Sequence, residues 1–253
     1  MLAAERKLKI LDYVRKHNVA SVSQLSQDFG VHEATIRRDL SEIEKEGRIR
    51  RTHGGVVLVE GVSSEPSFTI RANERVEEKI RIAECAVEMI EEGDNIILDS
   101  GTTTLQIARL LVAKSNITVV TNDINIAAEL RDFKDIKVIV TGGILYPESY
   151  MLNGLFTDNN LKTLHVDKAF VGIPAFHPNR GLTHFDDQLV SAKQSMIEAA
   201  SQTIVVTDHT KLGGISLHKV APVNEIDVLI TGREASETKI RQFKEAGLTV
   251  YTV

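Results

Sequence analysis

At 253 residues the chain is long enough for one large domain or two ordinary ones. Its 42% hydrophobic and 26% charged residues are those of an ordinary globular protein, with no run near the ~18 apolar residues of a membrane span. The net charge of −5 argues against indiscriminate coating of nucleic acid, and a single cysteine, Cys85, excludes an internal disulfide and fits a reducing cytoplasm.

The charge is uneven. Residues 1–60 carry eleven Lys/Arg against nine Asp/Glu, and the remainder nineteen against twenty-six. A mildly basic head on an acidic body points to polyanion binding at one end.

In chain order, the first predicted helix is Glu5 to His17, with Leu8, Leu11, Tyr13 and Val14 close to one face. The second starts at Ser21, which with Gln24 has capping-box spacing, and stops at Gly30 in the manner of a C′ glycine. Only Val31 separates that stop from a third helix, HEATIRRDLSEIEKEG, whose buried stripe is Ile36, Leu40 and Ile43 and which Gly47 closes. Two short helices around a tight glycine turn predict a helix-turn-helix. The other face of the third helix carries Glu33, Thr35, Arg37 and Arg38, where a recognition helix meets base edges and phosphates. GRIRRTHGGVVLV then predicts a hairpin carrying Arg48, Arg50, Arg51 and His53, a wing for the phosphate backbone.

TIRRDL (Thr35–Leu40), with LSEIEKEGRIRRTHGG after it and Arg6 before it, resembles the winged helix-turn-helix of the DeoR/GlpR family of bacterial transcriptional regulators. His32 stands where that family usually has a Ser capping the recognition helix. A neutral imidazole caps less well, which leaves His32 as a candidate base or phosphate contact.

Residues 1–58 are therefore expected to form the DNA-binding domain, 59–70 a linker containing Pro66, and 71–253 an effector-binding and oligomerisation domain. The last should open with one long amphipathic helix from Arg71 to Glu91. Seven apolar runs then alternate with helical patterns: NIILD, ITVVT, IKVIVT, KAFVGI, TIVVTD, DVLIT and LTVYTV. This predicts an α/β domain with a mainly parallel sheet, whose ligands bind beyond the carboxyl ends of the strands.

DSGTTT falls at such an end. Asp99, Ser100, Gly101, Thr102, Thr103 and Thr104 lead from strand to helix, so their backbone N–H groups and hydroxyls can converge on a phosphate. The loop has no Lys and no GxxxxGK[ST], which excludes a nucleoside-triphosphate P-loop. Asn122 and Asp123 end the next strand, Gly142 and Gly143 the one after, and Asp208 and Lys211 lie in TDHTKLGG. Lys193, on a helix starting near Asp186, is a further candidate cation. The eight histidines show no metal-ligand spacing, there is no GxSxG elbow, and no metal or cofactor is expected.

This region resembles the DeoR-family effector domain, which implies kinship with ribose-5-phosphate isomerase and the CoA-transferase fold, and a phosphorylated sugar or related metabolite as ligand. ILDSGTTTLQIARLL and IVVTDHTKLGGISLHKV look closest to branches responding to amino-sugar or inositol catabolites. Tyr146 and Pro147 depart from the family, where many relatives carry an Arg before the Ser. Two functions remain. The resemblance implies a homo-oligomeric repressor of a sugar or polyol operon, bound to operator DNA and released by its effector. The other is a sugar-phosphate isomerase with a DNA-binding head, since Asp99, Asp123 or Asp208 could be a base and Lys193 or Lys211 an electrophile. The isomerases' Gly-rich catalytic segment with its Glu base has no counterpart in the chain, which favours the sensor.

Overall fold

The computed structural model describes residues 3–17, 19–45, 49–52, 54–58, 65–147 and 149–253. The chain forms two compact units, Met1–Pro66 and Ser67–Val253.

The first unit contains α1 (Ala3–His17), β1 (Val19–Ser21), α2 (Val22–Phe29), α3 (Glu33–Lys45), β2 (Ile49–Arg51) and β3 (Gly55–Leu58). Ile10, Leu11, Val14, Leu25, Ile36, Leu40 and Ile43 fill its core. Ile10 takes the buried place expected of Leu8, which is exposed. The Ser21 side chain accepts from Gln24 N, and Gly30 turns left-handed at φ 63° to end α2, so both boundaries lie where the sequence sets them. The strand β1 was not anticipated. It pairs with β3 in an antiparallel sheet ordered β1-β3-β2. At Gly55 a side chain would strike the Ala20 carbonyl at 2.2 Å, so the second glycine of HGG is needed for strands to approach. Arg6 holds α1 to α3 through a buried bidentate pair with Asp39, at 2.6 and 3.3 Å. The expected stop at Gly47, the wing residues Arg48 and His53, and linker residues 59–64 fall outside the described residues.

The second unit opens with α4 (Phe68–Asn73) and α5 (Val76–Glu88). The single helix expected from Arg71 is thus broken, and its first turn lies inside the expected linker. Arg75 takes a left-handed φ of 51° at the break, where its guanidinium pairs with Glu74 and with Asp208 at 3.3 Å. Buried Lys79 donates to the carbonyls of Arg71 and Glu74, satisfying the end of α4. Tertiary ion pairs override a helical periodicity here.

There follow β4 (Asn95–Leu98), α6 (Thr102–Leu110), β5 (Ile117–Thr121), α7 (Ile124–Leu130), β6 (Ile136–Val140), β7 (Ile144–Tyr146), β8 (Met151–Asn153), α8 (Leu155–Leu161) and β9 (Val166–Val171). The remainder is β10 (Ala175–His177), β11 (Gly181–His184), α9 (Val190–Glu198), β12 (Ala200–Val206), β13 (His218–Ala221), β14 (Val228–Thr231), α10 (Glu237–Glu245) and β15 (Thr249–Thr252). All seven expected runs are strands of one sheet, ordered β15-β14-β12-β9-β4-β5-β6 among the described residues, with every neighbour parallel. Successive strand residues alternate between two cores: Ile96 and Leu98 face one, Ile97 the other. Helices cover both faces, as a parallel sheet requires. The β7–β8 hairpin and the small antiparallel sheet β10-β11-β13 were not read from the sequence. No helix among the described residues is long and apolar enough to cross a membrane.

The strand order reverses at β4. From there the chain fills β5 and β6 on one side, then returns to place β9 and β12 on the other. Such a switch point leaves a crevice beyond the strand ends.

Candidate functional site

Asp99 ends β4 at that crevice and is fully buried. Its Oδ2 accepts from Gly172 N, just beyond β9, at 3.0 Å, and from the ammonium of Lys193 on α9. Lys193, also buried, donates to the Gly172 carbonyl at 2.8 Å. Asp186 caps the 3₁₀ turn Asp187–Leu189 that leads into α9, close to the expected start. Oδ1 of Asp99 has no hydrogen-bond partner among the described residues. A buried carboxylate oxygen facing no donor is costly unless a hydroxyl or amide comes to it.

Ser100 and the end of β5 close the next side. Ser100 N donates to Asn122 Oδ1 at 3.1 Å, and Ser100 Oγ donates to Asp123 Oδ2 at 2.6 Å. Asp123 also caps α7 through Asn125 N and Ile126 N. Burial pushes its carboxyl above the usual range, against the lowering effect of these bonds, and the nearby Asp99 charge pushes the same way.

Gly101 precedes α6 with no side-chain cap on the helix. Thr102, Thr103 and Thr104 form its buried first turn, and Thr104 Oγ1 donates back to the Gly101 carbonyl at 2.9 Å. The first N–H groups of a helix have no intrahelical acceptor, so this turn offers donors and the positive end of a dipole.

The hairpin β7–β8 bounds the crevice beyond β5. Asn122 exchanges bonds with Leu152 through its own carbonyl at 2.7 Å and its side chain at 3.2 Å, and Ser149 O lies 3.5 Å from Ser100 Oγ. The TGG turn is fixed from α8: Thr157 Oγ1 donates to Gly142 O at 2.6 Å and Asn160 Nδ2 to Thr141 O at 2.7 Å. Gly143 has φ 125°, and a side chain there would meet Thr157 and Asn153 at 2.5–2.6 Å. Tyr146 OH and Asn153 Nδ2 both bond Gln188, tying the hairpin to the turn before α9. Asn125, Asn153 and Gln188 are polar groups of this region missed from sequence. Asn153, at the end of an apolar run and before Gly154, carried the only local signal.

Asp99 to Thr104, Asn122, Asp123, Gly142, Gly143 and Lys193 are thus brought to the ends of adjacent strands. Asp208 and Lys211 follow the end of β12, which β9 separates from β4 in the same parallel sheet. The described bonds of Asp208 run to Arg75 and Thr210. Although burial opposes it, the positive charges of Lys211 and Arg75 and the Thr210 bonds hold its carboxyl at about 2. Beside it, Glu78 accepts from His209 N and Nδ1, and this bond raises the His209 pKa. Burial lowers Lys79 to about 8. Glu78, Asp208 and His209 bring ligand atoms within 4.8 Å of one another. With Arg75, Lys79 and Lys211 around them they form an ion network, poor ground for a metal cation.

On the first unit, His32 is exposed at the start of α3, and its carbonyl accepts from Thr35 N and Ile36 N. Glu33 and Thr35 are partly exposed in the first turn. Arg37 pairs with Glu33 at 3.1 Å, and Arg51 is held by Glu44 through both its backbone N and its guanidinium, at 2.8 and 2.7 Å. Arg38 lies 3.8 Å from Glu42 with its side chain 84% exposed. Of these three arginines, Arg38 offers the freest guanidinium. Arg50 lies on β2 opposite Val57.

The two units match two family models, the DeoR-like helix-turn-helix domain over residues 6–62 and the DeoR C terminal sensor domain over residues 74–233. The HTH-type transcriptional regulator GolR of Listeria innocua is 34% identical, covering 99% of this chain and 98% of its own. The HTH-type transcriptional repressor GlcR of Bacillus subtilis is 38% identical over 92% of this chain and 90% of its own. Ribose 5-phosphate isomerase A of Methanocaldococcus jannaschii is similar at 16% identity with a TM-score of 0.40, over 55% of each chain. The two family models follow one another along this chain, and the regulators match it over nearly all its length. The chain therefore belongs to the DeoR family of helix-turn-helix transcriptional regulators.

Proposed function

We propose that this regulator represses a sugar or polyol catabolic operon and is released when a phosphorylated sugar or related metabolite binds beyond β4. One observation carries the reading. The uncapped N-terminus of α6 adjoins the buried Asp99–Lys193 pair, in which Asp99 Oδ1 has no partner. The amides of Gly101 to Thr104 take the phosphate, Lys193 supplies positive charge, and Asp99 Oδ1 accepts from a sugar hydroxyl. Ser100, Asn122, Asp123, Gly142 and Gly143 shape the loop around them. Asp208 and Lys211 act through the neighbouring ion network. Relatives named as a regulator and a repressor support sensing over turnover.

The first unit holds the operator. Arg37, Arg38, Arg50, Arg51 and His53 supply the salt-dependent phosphate contacts, and His32, Glu33 and Thr35 read base edges. One winged helix reads few base pairs, so the protein acts as a homo-oligomer on repeated half-sites. α4 offers a route for the signal, since Phe68 packs edge-on against Tyr150 of the site hairpin, ring centroids 5.4 Å apart.

Thermal unfolding against a panel of sugar phosphates and their unphosphorylated parents tests the reading. A true effector at about 100 times its dissociation constant adds roughly 2.7 kcal/mol, a rise of a few degrees. The rise should vanish in Thr103→Val and with the unphosphorylated parent. No rise with any phosphorylated compound would overturn the ligand class.

A further inference from the structure

Two buried oxygens of the crevice find no donor among the described residues. One is Asp99 Oδ1, and the other is Asn153 Oδ1, at the end of β8. Asn153 is wholly buried, and the proposed phosphate contacts leave it unused. Three contacts place it at the crevice. Leu152, the residue before it, accepts from the Asn122 amide, whose Oδ1 takes Ser100 N at 3.1 Å. The Asn153 backbone packs on the TGG turn, where a side chain on Gly143 would strike its carbonyl at 2.6 Å. Its Nδ2 donates to the Gln188 carbonyl, in the turn that leads into α9 and Lys193. Asn153 therefore spans from the strand end beside the DSGTTT loop to the helix whose ammonium holds Asp99.

The orientation of this amide is fixed. Turned the other way it would set its oxygen against the Gln188 carbonyl, so Nδ2 stays on Gln188 and Oδ1 is left over. An amide oxygen only accepts, and one buried without a donor costs as much as a lost hydrogen bond. Asp99 Oδ1 is under the same constraint. Resting on the proposed effector site, we infer that Asn153 is a specificity-determining residue of that site. Its Oδ1 accepts from a hydroxyl or amino group on the carbon chain of the phosphorylated ligand, and a second such group goes to Asp99. Gln188 is the residue that positions it.

The two acceptors select the chemistry of the ligand away from its phosphate. Hydroxyls and protonated amines bring the hydrogens that both oxygens need. A carboxylate or a second phosphate brings acceptors and a negative charge beside Asp99, where Lys193 is already paired. The site thus takes a monophosphate with a polyhydroxyl or amino-bearing chain, and rejects a phosphorylated sugar acid or a bisphosphate.

The test is titration calorimetry of the full chain with inorganic phosphate and five sugar derivatives. Three carry neutral or amino chains: ribose 5-phosphate, glucose 6-phosphate and glucosamine 6-phosphate. The other two are 6-phosphogluconate and fructose 1,6-bisphosphate. Inorganic phosphate reads the phosphate end alone, and each sugar's advantage over it reads the rest. On the wild type the best of the first three should exceed inorganic phosphate by about 10-fold or more, and the acid and the bisphosphate should not. Asn153→Ala should cut that advantage about 10-fold and leave inorganic phosphate within about twofold. Asn153→Ser takes its place if the Ala variant does not fold, and the wild-type ranking needs no variant. An advantage unchanged in the variant would overturn the inference while the effector site stands. So would tightest wild-type binding by the acid or the bisphosphate, or no advantage of any sugar over inorganic phosphate. Equal loss of phosphate and sugar binding would make Asn153 a structural residue only. Absence of binding by every probe would strike the effector reading itself, and this inference with it.

Discussion

Asp99 and Lys193 meet in a buried place, each held by the other and by Gly172. Removing one partner of such a pair leaves an uncompensated charge. Lys193→Met is expected to lower the unfolding free energy by roughly 3–5 kcal/mol in urea titration, and to abolish the ligand-induced shift. Asp208 behaves differently because its surroundings are cationic. Its pKa of about 2 lies below the 3.8 of a free Asp, so the native state binds this proton less readily than the unfolded chain. The stabilisation is complete above pH of about 4 and is lost as pH falls through about 2. Asp208→Asn should therefore be less stable than wild type by roughly 2–3 kcal/mol at neutral pH, with the difference closing in acid. Urea melts at stepped pH would show it, and a gap unchanged at pH of about 2 would refute the linkage.

Elements carry the two interfaces. α3 is placed by Arg6 on Asp39 behind it and presents Arg38 in front, with Arg37 and Arg51 restrained by Glu33 and Glu44. Of the three guanidiniums, Arg38 has the weakest intramolecular competitor for a phosphate. Arg38→Ala is expected to weaken operator binding evenly across sequences and to lower the slope of log K against log salt by about 1. Binding unchanged at low salt would remove Arg38 from the interface. In the second unit, the break between α4 and α5 separates a short helix, whose Phe68 packs on Tyr150, from a longer one whose Glu78 bonds His209. The two are joined by Lys79 of α5, which donates to the Arg71 and Glu74 carbonyls at the end of α4.

At the scale of the whole molecule, two compact units meet covalently at Pro66–Ser67. A ligand beyond β4 alters DNA affinity only if it prefers one arrangement of heads over another. The response is expected to travel through this joint. Replacing the segment around Pro66 by a long Gly/Ser tether should leave ligand affinity intact and abolish the ligand's effect on operator binding. A response that survives the tether would route the signal through the association of copies instead. Fluorescence anisotropy with labelled operator, titrated with and without ligand, reads both quantities.

Much of this was legible in the chain itself, because it depends on neighbours in sequence. Ser21 with Gln24, Gly30, the stripe Ile36, Leu40 and Ile43, and seven apolar runs fix caps, stops and periods by local chemistry. The loop from Asp99 to Thr104 announced itself by composition at a strand end. Only tertiary structure decided which strand ends lie side by side, since β4 and β9 are neighbours though some 70 residues apart in pairing. That ordering puts Lys193 on Asp99 and sends Asp208 to Arg75. It also breaks a helix that its own periodicity would have continued, because buried Glu74 and Lys79 and half-buried Arg75 must find partners wherever the fold supplies them.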